Sequence, residues 1–591
     1  EEGLADEVVA FARGCAFGTG VGSADVAVPA ACATRPAVLG DVFHSNPTVV
    51  RHPKAGHTNA SYAAFKTAYE TRSRVLYAGT NGGFLHGFHA GDWGLWNGVA
   101  NPPLYNEGSG QELFGLMPWE PRQGIKNQPV DDPTARTYFV DGSPQVADMW
   151  LYSNPTTSAK LASGSEWRTV LVGGLRQGGH HYYAVDITNP NGVMGPAGNL
   201  PYPGYLWEFP REDDPDDVAD PDSFLPYMGQ TWGEPILTRV RVKVGLDDNG
   251  GFGYERWVAI VTGGYDPTGN PNDSANYDIN GTRGRAIYIL DAKTGEVLAE
   301  KKFDSGAADA QQYMMSAIPS TPAVYDIDFD GYADLIYVGD LQGNLFKWVI
   351  HEIGEDRVND GSGVRTQPNW TFRRFFVAPI EKVGPDSFFK SFFFPPAGAL
   401  LRGKLYLAVG TGERADISYE GIDAKDENNR FYVMSDLDPG EIKVPPFADL
   451  TEADLTDVTG IETATVVANR GFYFIARDGE KFVTNTEIFS SVVIAASFTP
   501  TNTGEPCTAR GEATLYAFHL LTGEGYFRDA ADNPVRDLAI GAGLPSDPKT
   551  SVGPDGKDNR VIIETSGTDI MSFEGDDIKL EASGVYWRQQ Q

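Results

Sequence analysis

"RTVLVGGLRQGGHHYYAVDITNP", residues 168 to 190, sets two apolar runs on either side of a glycine-rich turn and ends the second run in Asp. Two strands that alternate apolar and small residues across such a turn form a hairpin with an apolar face it cannot bury alone. The unit recurs in "RVLYAGTNGGFLHGFHAGD" (74 to 92), in "WVAIVTGGYDP" resuming at "RAIYILDAKTGEVLAEKKF" (257 to 303) and in "ADLIYVGDLQGNLFKWVI" (333 to 350). Two more copies are "GKLYLAVGTGER" resuming at "NRFYVMSD" (403 to 436) and "ATLYAFHLLTGEGYF" (513 to 527). Their spacing of about 75 to 90 residues exceeds the roughly 40 to 50 of ordinary propeller repeats, so each copy predicts a four-stranded blade carrying a long insertion. The fold this predicts is all-β, a β-propeller of seven irregular blades over residues 37–591, with six or eight blades left open by the same pattern. The seventh is expected from "GFYFIARDGEKF" (471 to 482) and "SSVVIAASFTP" (490 to 500), or from the two chain ends closing together. Insertions are expected at 103–137, 194–230, 265–284, 355–395 and 415–428, which are rich in Pro, Asp, Gly and Asn.

Composition agrees with many short strands. The 591 residues are 41% hydrophobic, enough to bury a large core, and include 68 Gly, 39 Pro, 32 Phe and 26 Tyr. Lys plus Arg number 47 against 80 Asp plus Glu, a net charge of -33. Nucleic acid and anionic membrane surfaces are repelled by such a chain, and cations are its natural partners. No apolar stretch approaches the roughly 20 residues of a membrane-spanning helix, so no membrane insertion is expected, and no signal peptide is visible.

Three cysteines are too few for a disulfide scaffold. Cys15 and Cys32 bracket the loop "CAFGTGVGSADVAVPAAC" in a lead-in segment, residues 1–36. A bridge there would contribute on the order of 3 kcal/mol and needs an oxidising compartment. Two unrelated buried thiols are the alternative, and Cys507 is left unpaired in either case.

"VYDIDFDGYADLIYVGDLQGNLFKW" (324 to 348) places acidic side chains between two runs that otherwise suit buried strands. Asp326, Asp328, Asp330, Gly331 and Asp334 spell D-x-D-x-D-G-x-x-D. Carboxylates at loop positions 1, 3, 5 and 9, with the backbone carbonyl of Tyr332 at position 7, are able to converge on one Ca²⁺, and Gly331 permits the sharp turn this demands. Position 12, where a helix-loop-helix site has a bidentate Glu, is Tyr337 within a strand. The expectation is a calcium loop on a β-hairpin. Its alternative is an acidic turn capped by its own Asp side chains.

Other polar motifs carry less. "EDDPDDVADPD" (212 to 222) has no glycine turn and no flanking strands, so it is expected to be a solvated loop. His86, His89, His180 and His181 suit structural roles. The sequence contains no G-x-S-x-G elbow, C-x-x-C pair, P-loop or H-E-x-x-H motif. No enzymatic activity is expected.

The order of "RPAVLGDVFHSNPTVV" (35 to 50), "LYAGTNGGFLHGFHAG" (76 to 91), "QELFGLMPWE" (111 to 120), "YFVDGSPQVADMW" (138 to 150), "TWGEPIL" (231 to 237), the acidic loop, "LAVGTGER" and "GFYFIARDGEKF" resembles the C-terminal β-propeller of the PilC/PilY family of type IV pilus tip adhesins and assembly factors. The resemblance implies a calcium loop at Asp326, Asp328, Asp330, Tyr332 and Asp334. It implies an extracellular place at the pilus tip after export through the periplasm. It implies minor pilins as partners, with roles in pilus assembly, extension and retraction, twitching motility and adhesion to host or abiotic surfaces. Members usually carry a variable N-terminal half, often a von Willebrand factor A-like region, so this chain is expected to be a C-terminal fragment or processed product. The Arg-Gly-Asp triplet of some members does not occur here, and integrin binding is not carried over. Two other classes share features. A quinoprotein dehydrogenase has turns like "LDAKTGEVL" (290 to 298), and integrin-like or lectin-like propellers carry similar calcium hairpins, usually in several blades.

Overall fold

The structure is a computed structural model. It describes residues 39–94, 104–125, 137–192, 201–211, 225–244, 247, 249–273, 276–351, 370–383, 386–415, 417, 428–441, 448–467, 470–501, 511–551, 560–566, 568–574 and 585–586. Cys15, Cys32, Cys507 and the segment 1–36 lie outside the described residues.

Among the described residues six sheets follow one another along the chain, each with a core of four antiparallel strands taken in sequence order. Sheet I holds β1 (Thr48–Val50), β2 (Arg74–Gly79), β3 (Leu85–Gly91) and β4 (Glu112–Leu116). Sheet II holds β5 (Gln145–Trp150), β6 (Trp167–Gly174), β7 (Tyr182–Asp186) and β8 (Gly204–Phe209). Sheet III holds β9 (Ile236–Val242), β10 (Tyr254–Thr262), β11 (Ala286–Asp291) and β12 (Val297–Lys302). Sheet IV holds β13 (Ala323–Tyr325), β14 (Leu335–Gly339), β15 (Asn344–Val349) and β16 (Phe372–Val377). Sheet V holds β17 (Ala397–Leu401), β18 (Lys404–Gly410), β19 (Arg430–Asp436) and β20 (Gly471–Ile475). Sheet VI holds β21 (Lys481–Phe482), β22 (Val492–Pro500), β23 (Gly511–His519) and β24 (Asp537–Ala542). A three-stranded sheet, β25 (Lys549–Ser551), β26 (Arg560–Thr565) and β27 (Thr568–Glu574), follows, and Val561 and Ile563 pack into the core of sheet VI.

The first strands of successive sheets stand side by side, which is what a propeller axis requires. Thr48 donates to the Pro144 carbonyl between sheets I and II, and Gln145 Nε2 to Glu234 between II and III. The Glu234 N–H donates to Thr321 Oγ1 between III and IV, and the Tyr325 hydroxyl to the Pro396 carbonyl between IV and V. The glycine that ends the second strand of sheets I, II, IV and V has a cause, clearest in sheets IV and V. A Cβ on Gly339 would stand 2.2 Å from Phe392 Cβ, and one on Gly410 2.3 Å from Phe482 Cβ, because the chain leading into the next sheet crosses there. Apolar side chains between neighbouring sheets form continuous cores, as where β10 and β11 of sheet III face β14 and β15 of sheet IV.

Several expectations need correction. The stretches 471–482 and 490–500 do not form a blade of their own: β20 is the fourth core strand of sheet V, and Lys481 to Pro500 open sheet VI. The sixth hairpin is β22 with β23, not the two halves of 513–527. Three of the five insertions contain the fourth core strand of a sheet: β4 within 103–137, β8 within 194–230 and β16 within 355–395. β4 is largely exposed, so its apolar pattern is weak, whereas β8 and β16 are mostly buried and are hidden in the sequence by the long polar stretches around them. The turn at 290–298 joins β11 to β12, and Asp291 Oδ1 accepts from the N–H groups of Lys293 and Thr294; blade geometry accounts for it.

Candidate metal centre

The acidic loop joins β13 to β14 at one end of sheet IV. Its backbone folds around its own carboxylates. Asp326 accepts from the N–H of Phe329 at 2.7 Å and of Gly331 at 2.8 Å, while Asp334 Oδ2 accepts from the Ile327 N–H at 2.6 Å. Asp328 and Asp330 each accept from the N–H two residues on. Phe329 and Gly331 take positive φ, 67° and 85°, which curls the loop tightly enough to turn its carboxylates inward.

Asp326, Asp328 and Asp334 converge, each with one carboxylate oxygen within 4.8 Å of the others. Asp334 is buried, Asp326 half-buried and Asp328 exposed, so the cluster opens to water on one side. Burial, with the charges of Asp328, Asp326 and Asp330 added to it, pushes Asp334 up to about 7 against the opposing Ile327 hydrogen bond. Burial also raises Asp326, and Asp330 and Asp328 add to the effect. Such a group is a hard, all-oxygen donor set with surplus negative charge, which fits Ca²⁺ or another oxygen-seeking divalent cation.

Of the four expected carboxylates one stands apart, and the side chain of Tyr332, whose backbone carbonyl is the expected donor, makes contacts of its own. Asp330 Oδ2 is 2.6 Å from Arg241 Nη2, on β9 of the neighbouring sheet, and is not part of the convergent trio. The Tyr332 ring lies between two guanidiniums, Arg241 at 4.2 Å and Arg239 at 4.9 Å, and its hydroxyl donates to Glu255 Oε2 at 3.0 Å. Burial, with Glu255 beside it, pushes the Tyr332 hydroxyl up to about 12. Glu255 is itself held by Lys160 at 2.7 Å. Sequence reasoning missed Arg239, Arg241 and Glu255, which lie on sheet III about 75 to 95 residues before the loop. No local pattern marks them.

The expected structural histidines are anchored by carboxylates. Both His180 and His181 place Nδ1 on Glu120, at 2.8 and 2.7 Å, and although burial works the other way, these bonds hold Glu120 down at about 2. His86 Nδ1 is 2.7 Å from Glu112.

A family model described as the PilY1 beta-propeller domain matches residues 39–459. The chain belongs to this family. The type IV pilus biogenesis factor PilY1 of Pseudomonas aeruginosa is 27% identical over 423 residues, covering 67% of this chain and 28% of that protein. A homologue of PilY1 in Xylella fastidiosa is 22% identical over 523 residues, covering 84% of this chain and 34% of that one. The chain therefore spans about a third or less of the length of these curated PilY1 relatives. The crystal structure of the P. aeruginosa PilY1 C-terminal domain superposes with a TM-score of 0.53 at 19% identity, covering 89% of this chain and 99% of that one, and it shares the propeller fold. No helix among the described residues is long and apolar enough to cross a membrane.

Proposed function

We propose that this propeller is a calcium-binding, non-enzymatic part of a type IV pilus biogenesis factor, acting outside the cell at the pilus tip. The observation that carries the pilus role is the family match across residues 39–459, and relatives named as pilus biogenesis factors support it. Stacked sheets make a rigid body, and the loops between strands offer variable surfaces for docking on minor pilins. Adhesion to host or abiotic surfaces would involve regions beyond this propeller. In that setting the protein supports pilus assembly, the balance of extension and retraction, and twitching.

Asp326, Asp328 and Asp334 would hold the cation, with Asp330 and the Tyr332 carbonyl as further donors. The ion supplies charge neutralisation to a loop that otherwise crowds four carboxylates. The loop also touches sheet III through Tyr332 and through the Asp330–Arg241 pair, so cation occupancy bears on the seam between two blades.

The test is to delete the protein, restore it as wild type or Asp328→Ala, and count surface pili and measure twitching with and without an active retraction motor. Loss of piliation on deletion, restored by wild type and not by Asp328→Ala, is the expected result. Unchanged piliation and twitching after deletion would refute the pilus role. Full rescue by Asp328→Ala would keep that role and remove calcium from it.

A further inference from the structure

At the outer edge of sheet II the chain leaves two large aromatic rings in water, Tyr205 of β8 at 59% exposure and Trp119 at 42%. Trp119 begins the short helix α1 (Trp119–Gly124). Both rings border a cleft of about 550 Å³ that Arg122, Arg211, Glu208 and His181 also line, a size within the roughly 300 to 1,000 Å³ of small-molecule sites. The walls are fixed in place. A bulge between Tyr205 and Trp207 breaks the strand alternation, so Trp207 is buried and donates Nε1 to the Ala292 carbonyl while Tyr205 stays outside. The Trp119 N–H donates to both Glu208 oxygens, at 2.9 and 3.0 Å, which ties the helix to β8. Arg122 lies 4.9 Å over the Trp119 ring, and Arg211 is braced by the Thr294 carbonyl at 2.8 Å.

His181 supplies an independent sign of a ligand. It is 7% exposed, its Nδ1 pairs with Glu120, and its Nε2 has no hydrogen-bond partner among the described residues. A buried ring nitrogen left without a partner calls for a polar group from a ligand.

The geometry points to a binding site for a carboxylated saccharide, of the uronic-acid class, in this cleft. A sugar ring offers a C–H face to the open aromatic rings, hydroxyls to His181 Nε2, and a carboxylate to the guanidiniums of Arg122 and Arg211. A phosphate ester fits less well, because Glu208 and Glu120 place negative charge against a dianion. The site is separate from the acidic loop of sheet IV and stands or falls independently of the pilus role.

The experiment is isothermal titration of the whole chain with a galacturonate tetramer, a glucose tetramer and adenosine monophosphate. The galacturonate tetramer is expected to bind with a Kd below about 1 mM, at least tenfold tighter than the other two. Tyr205→Ala and Arg122→Ala, both at exposed positions, are expected to weaken it at least fivefold each with unchanged melting temperature. Absence of uronate binding, equal binding of glucose tetramer, tighter binding of the nucleotide, or full binding by the Tyr205→Ala/Arg122→Ala double variant would each overturn the proposal.

Discussion

Strand β14 has an aspartate turn at each end, and the two solve the same problem differently. At the far end Asp340 is fully buried, and burial pushes its carboxyl up to about 7. Its oxygens accept from the Gln342 N–H at 3.0 Å, the Asn344 N–H at 2.8 Å and Asn344 Nδ2 at 2.8 Å. At the near end Asp334 is raised equally, but it shares its loop with three further carboxylates. Backbone donors satisfy one oxygen of Asp334 and both of Asp326, yet they carry no full charge to cancel the remainder. An isolated buried Asp is a turn cap. A cluster of them at this spacing calls for a cation, and the sheet III guanidinium of Arg241 supplies only one, to the outlying Asp330.

The largest effect should come from Asp340→Ala, which leaves two backbone N–H groups and an amide unpaired inside the sheet. A loss of about 3 kcal/mol is expected, the same with and without Ca²⁺, read from urea denaturation. A calcium-dependent loss would break the contrast between the turns. Asp328→Ala should do the reverse: little change in cation-free stability, and loss of the increment of about 2.7 kcal/mol that wild type gains at a hundredfold excess of Ca²⁺ over its Kd. Equal calcium heats for wild type and this variant would remove the loop from cation binding.

Acidity separates the turns further. Asp334 and Asp340 are both raised from about 3.8 to about 7, so the folded chain holds protons that the unfolded chain has released between these values. Their contribution to cation-free stability is fully present below about pH 4 and lost as pH rises through 7. Calcium affinity must run the other way, falling about tenfold per unit below pH 7, because Asp334 has to shed its proton to bind. Calorimetry at pH 5.5, 6.5 and 7.5 checks the slope, and a flat profile would exclude Asp334 as a ligand. The smallest effect is expected of Arg241→Ala. This partly exposed pair is worth under about 1 kcal/mol to stability, but its removal frees Asp330, and calcium affinity should rise several-fold. A fall in affinity would mean that Arg241 positions the loop instead of competing for it.

Much of the architecture was legible because central hairpins are buried on both faces and announce themselves as long apolar runs closed by glycine. β6 with β7, and β14 with β15, are of this kind. The outer strands were not legible. β4 reads "ELFGL" and is largely solvated, so nothing in its pattern distinguishes it from an insertion. Strand allocation at 471–500 failed for a related reason: β20 and β21 are adjacent in the chain, but the first pairs back to β19 and the second forward to β22.

The sequence alone determined the repeating hairpin, the acid excess and the D-x-D-x-D-G-x-x-D loop, since turn chemistry and strand alternation act between residues a few positions apart. Tertiary structure decided which carboxylates meet. Spacing treats Asp330 as the equal of Asp326, Asp328 and Asp334, yet an arginine 89 positions earlier is brought beside it by the packing of sheet III on sheet IV. The cleft between Trp119 and Tyr205 arose in the same way, from chain segments that are 86 residues apart and meet only when β8 docks against the helix after β4. Coulomb attraction and cleft formation depend on distance in space, and that distance is set by the stacking of sheets.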